Sequence, residues 1–412
     1  MAYFPNAITF TDNAAVNAKQ RLRISESTCQ WSSGFNYNTS DSLWVTEKVG
    51  AGSGISHLPN ESSVQLTLDT GASDYIIRQT KQNFSIAAGL SVSLCFYFLL
   101  KTAVTNVTKR VGFFDINDGI FLQQDGDGTL KLVRRTSVGG SPSDADAISQ
   151  ANWNIDKMDG TGVSGETLDI NTTQCLCFDF FWPTGDIRVG FRINNNLYYI
   201  HQFHIANNID KPFTKNMVEP MRFEMRNTAG SAGATMNLVG SALFTEQECV
   251  NPFRSFATGS GVNPTTINST TTRIPICTIR PKQTYNGIRN KGMVVIEDVD
   301  LHVATNSCYF ELIYSGTLTG PNWNDVDTNN SMVECDLEAT AINGGICLRA
   351  GYGVAANKVQ SSPKHTINLK FPICLLDVAG SAESGAQVTL CARALTANSV
   401  VAGNICWNEI HQ

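Results

Sequence analysis

The chain has 412 residues, 42% of them hydrophobic and only 16% charged, with 33 glycines and a formal net charge of −6. That length exceeds one ordinary core and suits two β domains of roughly 150 to 190 residues. A low charge with no basic patch or arm speaks against nucleic acid as the main partner, and no apolar run reaches the roughly 18 residues that a membrane span needs.

Residues 1–58 read as an extended N-terminal arm. Tyr3-Phe4 and Ile8-Thr9-Phe10 precede a polar segment through Arg23, and Trp31, Phe35, Tyr37 and Trp44 are then spaced among Ser and Asn. An arm with exposed aromatics packs on its own domain or on a neighbouring subunit. Residues 59–248 carry dense strand signals and predict the larger of two antiparallel β-sandwiches. Val64, Leu66 and Leu68 alternate with polar residues, Tyr75 to Arg78 follows, and Leu90 to Leu100 is apolar throughout, as a strand buried on both faces would be. Val111 to Asp115 and Gly119 to Gln124 flank a hairpin turn at Asn117-Asp118, and Asp125-Gly126-Asp127-Gly128 turns into Thr129 to Arg135. A polar loop is expected from Ser137 to Gly165, anchored by Trp153 and Ile155. Three strands at Cys175–Trp182, Ile187–Ile193 and Leu197–Ile205 then make a meander, joined by Pro183-Thr184-Gly185-Asp186 and by Asn194-Asn195-Asn196. Met221 to Arg226 and Thr235 to Phe244 close the domain.

Residues 249–272 turn to Gly, Ser, Asn and Thr and read as a linker. Residues 273–412 predict a smaller sandwich of seven or eight strands. Its signals are the alternations Val299/Leu301/Val303, Phe310/Leu312/Tyr314, Val333 through Ala341, and Ile367/Leu369/Phe371, then Val388–Leu395 and Val400–Ile410. The fold class is therefore all-β. Of the twelve cysteines, Cys95, Cys175, Cys177, Cys374, Cys391 and Cys406 lie in apolar strand-like runs, where a free thiol behaves as a small hydrophobe. The close pair Cys175/Cys177 has no partner pair at zinc-site spacing. With no charged-then-apolar leader, synthesis in a cytoplasm is expected.

Two motifs suggest hydrolysis. Asp69-Thr70-Gly71-Ala72-Ser73 resembles an aspartic-protease loop, but that chemistry needs a second carboxylate sharing one proton, and no second copy occurs. The expected role of Asp69 is to bond its own backbone in a strand-ending turn. Glu334-Cys335-Asp336-Leu337-Glu338 resembles the strand motif of retaining β-glucanases. A solvated acidic strand face is expected, since two carboxyls four residues apart must lean inward to reach the spacing of about 5 Å. His201 and His204, three apart on a strand, point to opposite faces and do not share a metal. Asp115, Asp118, Asp125 and Asp127 read as plain hairpin turns, without the closing glutamate of a calcium loop. No catalytic, cofactor-binding or metal-ligating set is assigned. Trp31, Trp44, Trp153 and Tyr198 are the candidate glycan or partner contacts, as amphipathic aromatics at a recognition surface.

Several stretches together resemble virion proteins of tailed double-stranded DNA phages found in environmental and gut phage genomes. These are Ile77-Arg78-Gln79-Thr80 with Ala88-Gly89-Leu90-Ser91, Gly112-Phe113-Phe114-Asp115 with Asp118 through Gln123, Trp153 through Gly162, and Val189-Gly190-Phe191 with Tyr198 through Phe203. The resemblance covers residues 25–245, and extends more loosely through Ser315-Gly316-Thr317 and Cys406 through Ile410. It implies a concanavalin-like jelly roll for the first domain and a structural role in the particle, at the head surface, a vertex or the tail. It transfers no catalytic residue. The expected partners are other copies of the chain and other virion proteins, with a host-surface glycan as the alternative.

Overall fold

The computed structural model describes residues 27–181, 184–215, 217–246, 254–355, 372–378, 382–383, 386–396 and 398–410. The chain divides into two compact units, Met1–Val250 and Asn251–Gln412, and among the described residues no α-helix occurs.

In the first unit the strands are β1 (Thr28–Gly34), β2 (Trp44–Val49), β3 (Gly54–Leu58), β4 (Ser63–Leu68), β5 (Tyr75–Thr80), β6 (Phe84–Ser85), β7 (Ser91–Leu99), β8 (Val107–Phe114) and β9 (Gly119–Gln124). They continue as β10 (Leu130–Thr136), β11 (Ser143–Ser149), β12 (Gln174–Phe181), β13 (Ile187–Ile193), β14 (Asn196–Phe203), β15 (Val218–Glu219), β16 (Met221–Asn227) and β17 (Ala234–Thr245). One sheet runs β14-β13-β12-β7-β17-β4-β3, with β1 also paired to β17, and the other runs β11-β10-β9-β8-β16-β5-β2. Strands far apart in sequence, such as β7 with β17 and β8 with β16, lie side by side in antiparallel register. The result is a concanavalin-like jelly roll. The meander is β12-β13-β14, with Phe178 opposite Val189 and Leu176 opposite Phe191.

Period-two alternation sends one face of each sheet inward. Leu66, Leu94, Phe96, Phe98, Phe178, Phe180 and Val189 from one sheet meet Ile76, Val111, Phe113, Leu122 and Phe223 from the other in one buried cluster. Phe96 lies 6.0 Å from Phe223, and Phe113 lies 6.2 Å from Phe180, ring centre to ring centre. At the β8–β9 hairpin the Asp115 carboxylate accepts from the amides of Asn117 and Asp118, at 2.6 and 2.8 Å. Gly119 supplies the φ of +128° that closes the turn.

Several expectations are corrected here. Within the expected arm 1–58, residues from Thr28 onward belong to the sandwich as β1, β2 and β3, because Trp31, Phe35 and Trp44 fill the space between the sheets at that edge. Residues 1–26 lie outside the described residues. The expected loop from Ser137 contains β11, which pairs with β10. Its sequence, Ser-Asp-Ala-Asp-Ala-Ile-Ser, alternates but is too polar to announce a strand.

The second unit holds β18 (Arg254–Gly259), β19 (Thr265–Ile267), β20 (Ile274–Pro281), β21 (Thr284–Tyr285), β22 (Ile288–Arg289), β23 (Met293–Thr305), β24 (Cys308–Tyr314), β25 (Thr317–Thr319) and β26 (Trp323–Asp325). After these come β27 (Val333–Asp336), β28 (Ala341–Asn343), β29 (Ile346–Gly353), β30 (Pro372–Cys374), β31 (Leu376–Asp377), β32 (Ala382–Glu383), β33 (Val388–Ala394) and β34 (Ser399–Ile410). A sheet β18-β34-β23-β30, with β19 on β34, faces a sheet β26-β27-β20-β33-β24-β29. Their core includes Ile279, Val299, Phe310, Leu312, Leu390 and Trp407. This antiparallel sandwich begins earlier than expected. Within the expected linker 249–272, β18 and β19 pair with the two ends of the long strand β34, and Phe256 stacks on Trp407 at 6.2 Å. The alternation from Val333 to Ala341 is two short strands in different sheets. The Asp336 carboxylate accepts from the amides of Asn322, Glu338 and Ala339 and folds the chain away after β27. The strand expected at Ile367–Phe371 lies outside the described residues.

Candidate functional site

The four aromatic candidates do not form one surface. Trp44 and Trp153 are 1% and 3% exposed, so both are core residues. Trp44 donates its indole N–H to Ser33 Oγ at 2.9 Å and packs 5.9 Å from Phe223. Trp31 is half-buried, 5.9 Å from Trp44 and 5.2 Å from Phe84. Tyr198, also half-buried, accepts from Asn196 Nδ2 at 3.3 Å. Trp31 stands on β1 and Tyr198 on β14, with β17, β7, β12 and β13 between them. Sequence alone cannot separate an aromatic that seals a core edge from one offered to a ligand, since both sit among Ser and Asn.

The Asp-Thr-Gly motif follows the turn reading. Asp69 accepts from the amides of Gly52 at 2.6 Å and Thr70 at 2.8 Å, and those two bonds hold its carboxyl below the usual range. It borders an open depression of about 560 Å³ that is also lined by Thr67, Thr70, Lys101, Thr102 and Thr235. Nearby, the buried Lys109 ammonium donates to the carbonyls of Leu100, Thr102 and Thr235 at 2.5, 2.9 and 3.2 Å. Burial lowers its pKa to about 8. Its role is to tie β8 to the strand ends around the depression.

In the acidic motif of the second unit, Glu334 accepts from Arg280 Nε at 2.5 Å, and that guanidinium lies 3.7 Å from the Trp323 ring centre. Glu338 is past the end of β27 and accepts from Asn322 Nδ2 at 3.0 Å. The strand that would hold both carboxyls in line ends at Asp336. His201 Nδ1 accepts from the Asn154 amide at 3.2 Å, while His204 Nδ1 faces Asp186 at 3.0 Å. Burial lowers the His201 pKa to about 4.

Two groupings in the first unit become visible only once strands distant in sequence are paired. The first paves the outward face of the seven-stranded sheet. Glu224 on β16 is fully buried among three arginines, with Arg226 Nε at 2.6 Å, Arg110 Nη1 at 2.9 Å and Arg222 Nη1 at 3.7 Å. Burial alone would raise its pKa, but the charges of Arg222, Arg110 and Arg226 outweigh it and hold the carboxyl at about 2. The guanidiniums lie over aromatic rings: Arg110 and Arg135 over Phe121 at 5.4 and 5.1 Å, Arg222 over Phe114 at 5.5 Å, and Arg226 over Tyr75 at 5.0 Å. A carboxylate held this firmly ionised has no proton to give near neutral pH. The arrangement is a rigid, charge-paired face and not an acid–base pair.

The second grouping joins Cys95 on β7 to Cys175 and Cys177 on β12. Cys177 stands directly opposite Cys95 in the ladder. The Cys95–Cys177 Sγ separation is 3.1 Å and the Cys175–Cys177 separation is 3.9 Å. Hydrogen bonds from Cys177 and Cys95 hold the Cys175 thiol below its ordinary value, while the Cys177 thiol is pushed up. The sequence displays the Cys175/Cys177 pair but not the third thiol, which lies 80 residues earlier in the chain.

No protein-family model matches the chain, and no curated protein sequence does. Among solved structures it is similar to the Emp47p carbohydrate recognition domain, at 13% identity over 54% of this chain and 98% of that one, with a TM-score of 0.34. It is similar to a glycosyl hydrolase family protein from Mycobacterium fortuitum, at 9% identity over 52% and 99% of the two chains, with a TM-score of 0.38. A legume lectin-like domain from Entamoeba histolytica matches at 11% identity over 49% and 89%, with a TM-score of 0.29.

Proposed function

We propose that this chain works by association, as a repeated structural subunit of a tailed-phage particle, and that its first jelly roll can carry a saccharide contact. The observation that carries the assembly reading is strand β29. It ends the six-stranded sheet, pairing with β24 on one side, and among the described residues no strand pairs with its other side. Along and just past it Ile346, Tyr352 and Val354 are 53%, 64% and 72% exposed, and Arg349 is its one charged residue. A monomeric protein ordinarily guards such an edge with charge, proline or a covering loop, because unpaired backbone groups beside apolar side chains recruit another strand. The free thiols suit a subunit made in a reducing compartment and then locked into a multimer. Sedimentation velocity on the purified chain is expected to show more than one chain per particle. Ile346→Lys combined with Tyr352→Lys should return it to monomer with its near-UV circular dichroism unchanged. A wild-type chain that stays monomeric at high concentration and is missing from purified virions would end the assembly reading.

The saccharide reading rests on the depression beside Asp69. Jelly rolls serve as capsid and as lectin domains alike, and here threonine side chains, an amine and a carboxylate held below its usual range by two backbone amides line one open concavity. Such groups match the hydroxyls of a sugar. The chain should retain specific saccharides on a glycan array and lose them with Asp69→Ala. An array with no retained glycan sinks this reading and leaves the first intact.

A further inference from the structure

We infer that Cys95, Cys175 and Cys177 form a binding site for one soft, thiophilic metal ion, best met by Cu(I) in three-coordinate thiolate form. The site is built on two adjacent strands inside the larger sheet, since β12 lies between β7 and β13 and β7 lies between β12 and β17. Antiparallel register puts Cys177 opposite Cys95, and period two puts Cys175 on the same face. All three Sγ atoms lie within 4.8 Å of one another. An ion about 2.3 Å from each sulfur needs the sulfurs roughly 3.8 to 4 Å apart. The Cys175–Cys177 separation of 3.9 Å already lies in that range, and the Cys95–Cys177 separation of 3.1 Å falls short of it by less than about 1 Å, a difference on the scale of a side-chain rotation.

The donor set selects the ion. Three sulfurs without oxygen or nitrogen favour Cu(I) or zinc and disfavour calcium and magnesium. Zinc completes a tetrahedron, and among the described residues the group offers three ligand residues, which is the number that Cu(I) accepts. The surroundings agree. Leu197 and Tyr199 are buried against the thiols, and Ile155, Tyr97 and Phe244 pack around them, a shell that keeps water from the metal. Cys175 is only half-buried and opens a path from solvent. Three thiolates and Cu(I) carry a net charge of −2, and the nearby positive charge of Arg192 offsets part of it. Binding releases the thiol protons to solvent and involves no change of oxidation state.

The test is a titration of the reduced, metal-free full chain with Cu(I), under anaerobic conditions, against a chromogenic Cu(I) chelator. Bound metal is counted by elemental analysis and its neighbours are identified by X-ray absorption. Wild type is expected to withhold one equivalent from the chelator with three sulfur neighbours. Cys175→Ser should weaken retention by at least about 100-fold, since a direct ligand costs more than the outer partners whose loss costs 10- to 100-fold. That side chain is partly exposed, so its circular dichroism and Tm should match wild type and separate a lost site from a lost fold. Replacing Cys29 and Cys347, two exposed thiols, by Ser should leave retention unchanged. Retention that survives Cys175→Ser overturns the proposal. So does tighter binding of Zn²⁺ than of Cu(I) in the same competition, or a Cys95–Cys177 disulfide found by mass mapping in chain isolated from cytoplasm.

Discussion

Glu224 shows how much a single side chain can depend on residues remote from it. Its neighbours Arg222 and Arg226 alternate with it along β16, but Arg110 is brought in by the β8–β16 ladder, where it stands directly opposite. Removing one partner of a buried ion cluster leaves the others desolvated without compensation. Glu224→Gln keeps the shape and deletes the charge facing three guanidiniums, so it should cost about 3–5 kcal/mol in urea unfolding. The same group sets a pH dependence. Its folded pKa, about 2, is depressed below the ordinary 4.5, so its contribution is fully present above about pH 4.5 and is lost as pH falls toward 2. From that shift the contribution is roughly 3 kcal/mol. Acid unfolding of the wild type should therefore steepen in that window, and Glu224→Gln should flatten it. A variant with the wild-type acid profile would show that the cluster is not coupled to folding.

At the level of elements, Gly112 on β8 marks where two strands and a paved face meet. It stands opposite Phe121 of β9 and Arg222 of β16. A Cβ added there would come within 2.3 Å of the Ile120 carbonyl oxygen and 2.6 Å of the Phe121 Cα, both backbone atoms that cannot rotate away. Gly112→Ala should thus destabilise the first unit by roughly 2–3 kcal/mol, as overpacking does, and lower its Tm by about 5–10 °C in scanning calorimetry. This is also the level at which the sequence was most legible. Strands with a clean period of two, such as Ile187–Ile193 and Phe310–Tyr314, emerge where their alternation predicts them. Legibility failed at the edges. The edge strands β11, β18 and β19 carry mostly small or polar residues; β18 and β19 form along the free side of the longer β34, and β11 along the free side of β10. The spacing of Trp31 and Trp44 among Ser and Asn predicts an aromatic arm that packs on its own domain or on a neighbour, and of the two it is the space between the sheets of its own domain that takes them. Neither the arginine-paved face nor the thiol trio could be found without the ladder partners, since register is a property of the pairing and not of either strand.

For the whole molecule, the decisive fact is that each compact unit has its own large hydrophobic cluster, centred on residues such as Trp44, Phe96 and Phe223 in the first and Phe310, Leu390 and Trp407 in the second. A core of that size makes each unit a cooperative unit in its own right. Calorimetry of the full chain should resolve two transitions. Trp44 and Trp407 are both 1% exposed, and truncating a buried Trp to Ala costs about 3–5 kcal/mol. Trp44→Ala should accordingly lower one transition by roughly 10 °C and leave the other in place, and Trp407→Ala should do the converse. If either variant moved both transitions by equal amounts, the cores would be unfolding as one. On the proposed reading, with assembly through β29 in the second unit and saccharide contact beside Asp69 in the first, independent cores predict that mutation removes the two activities separately.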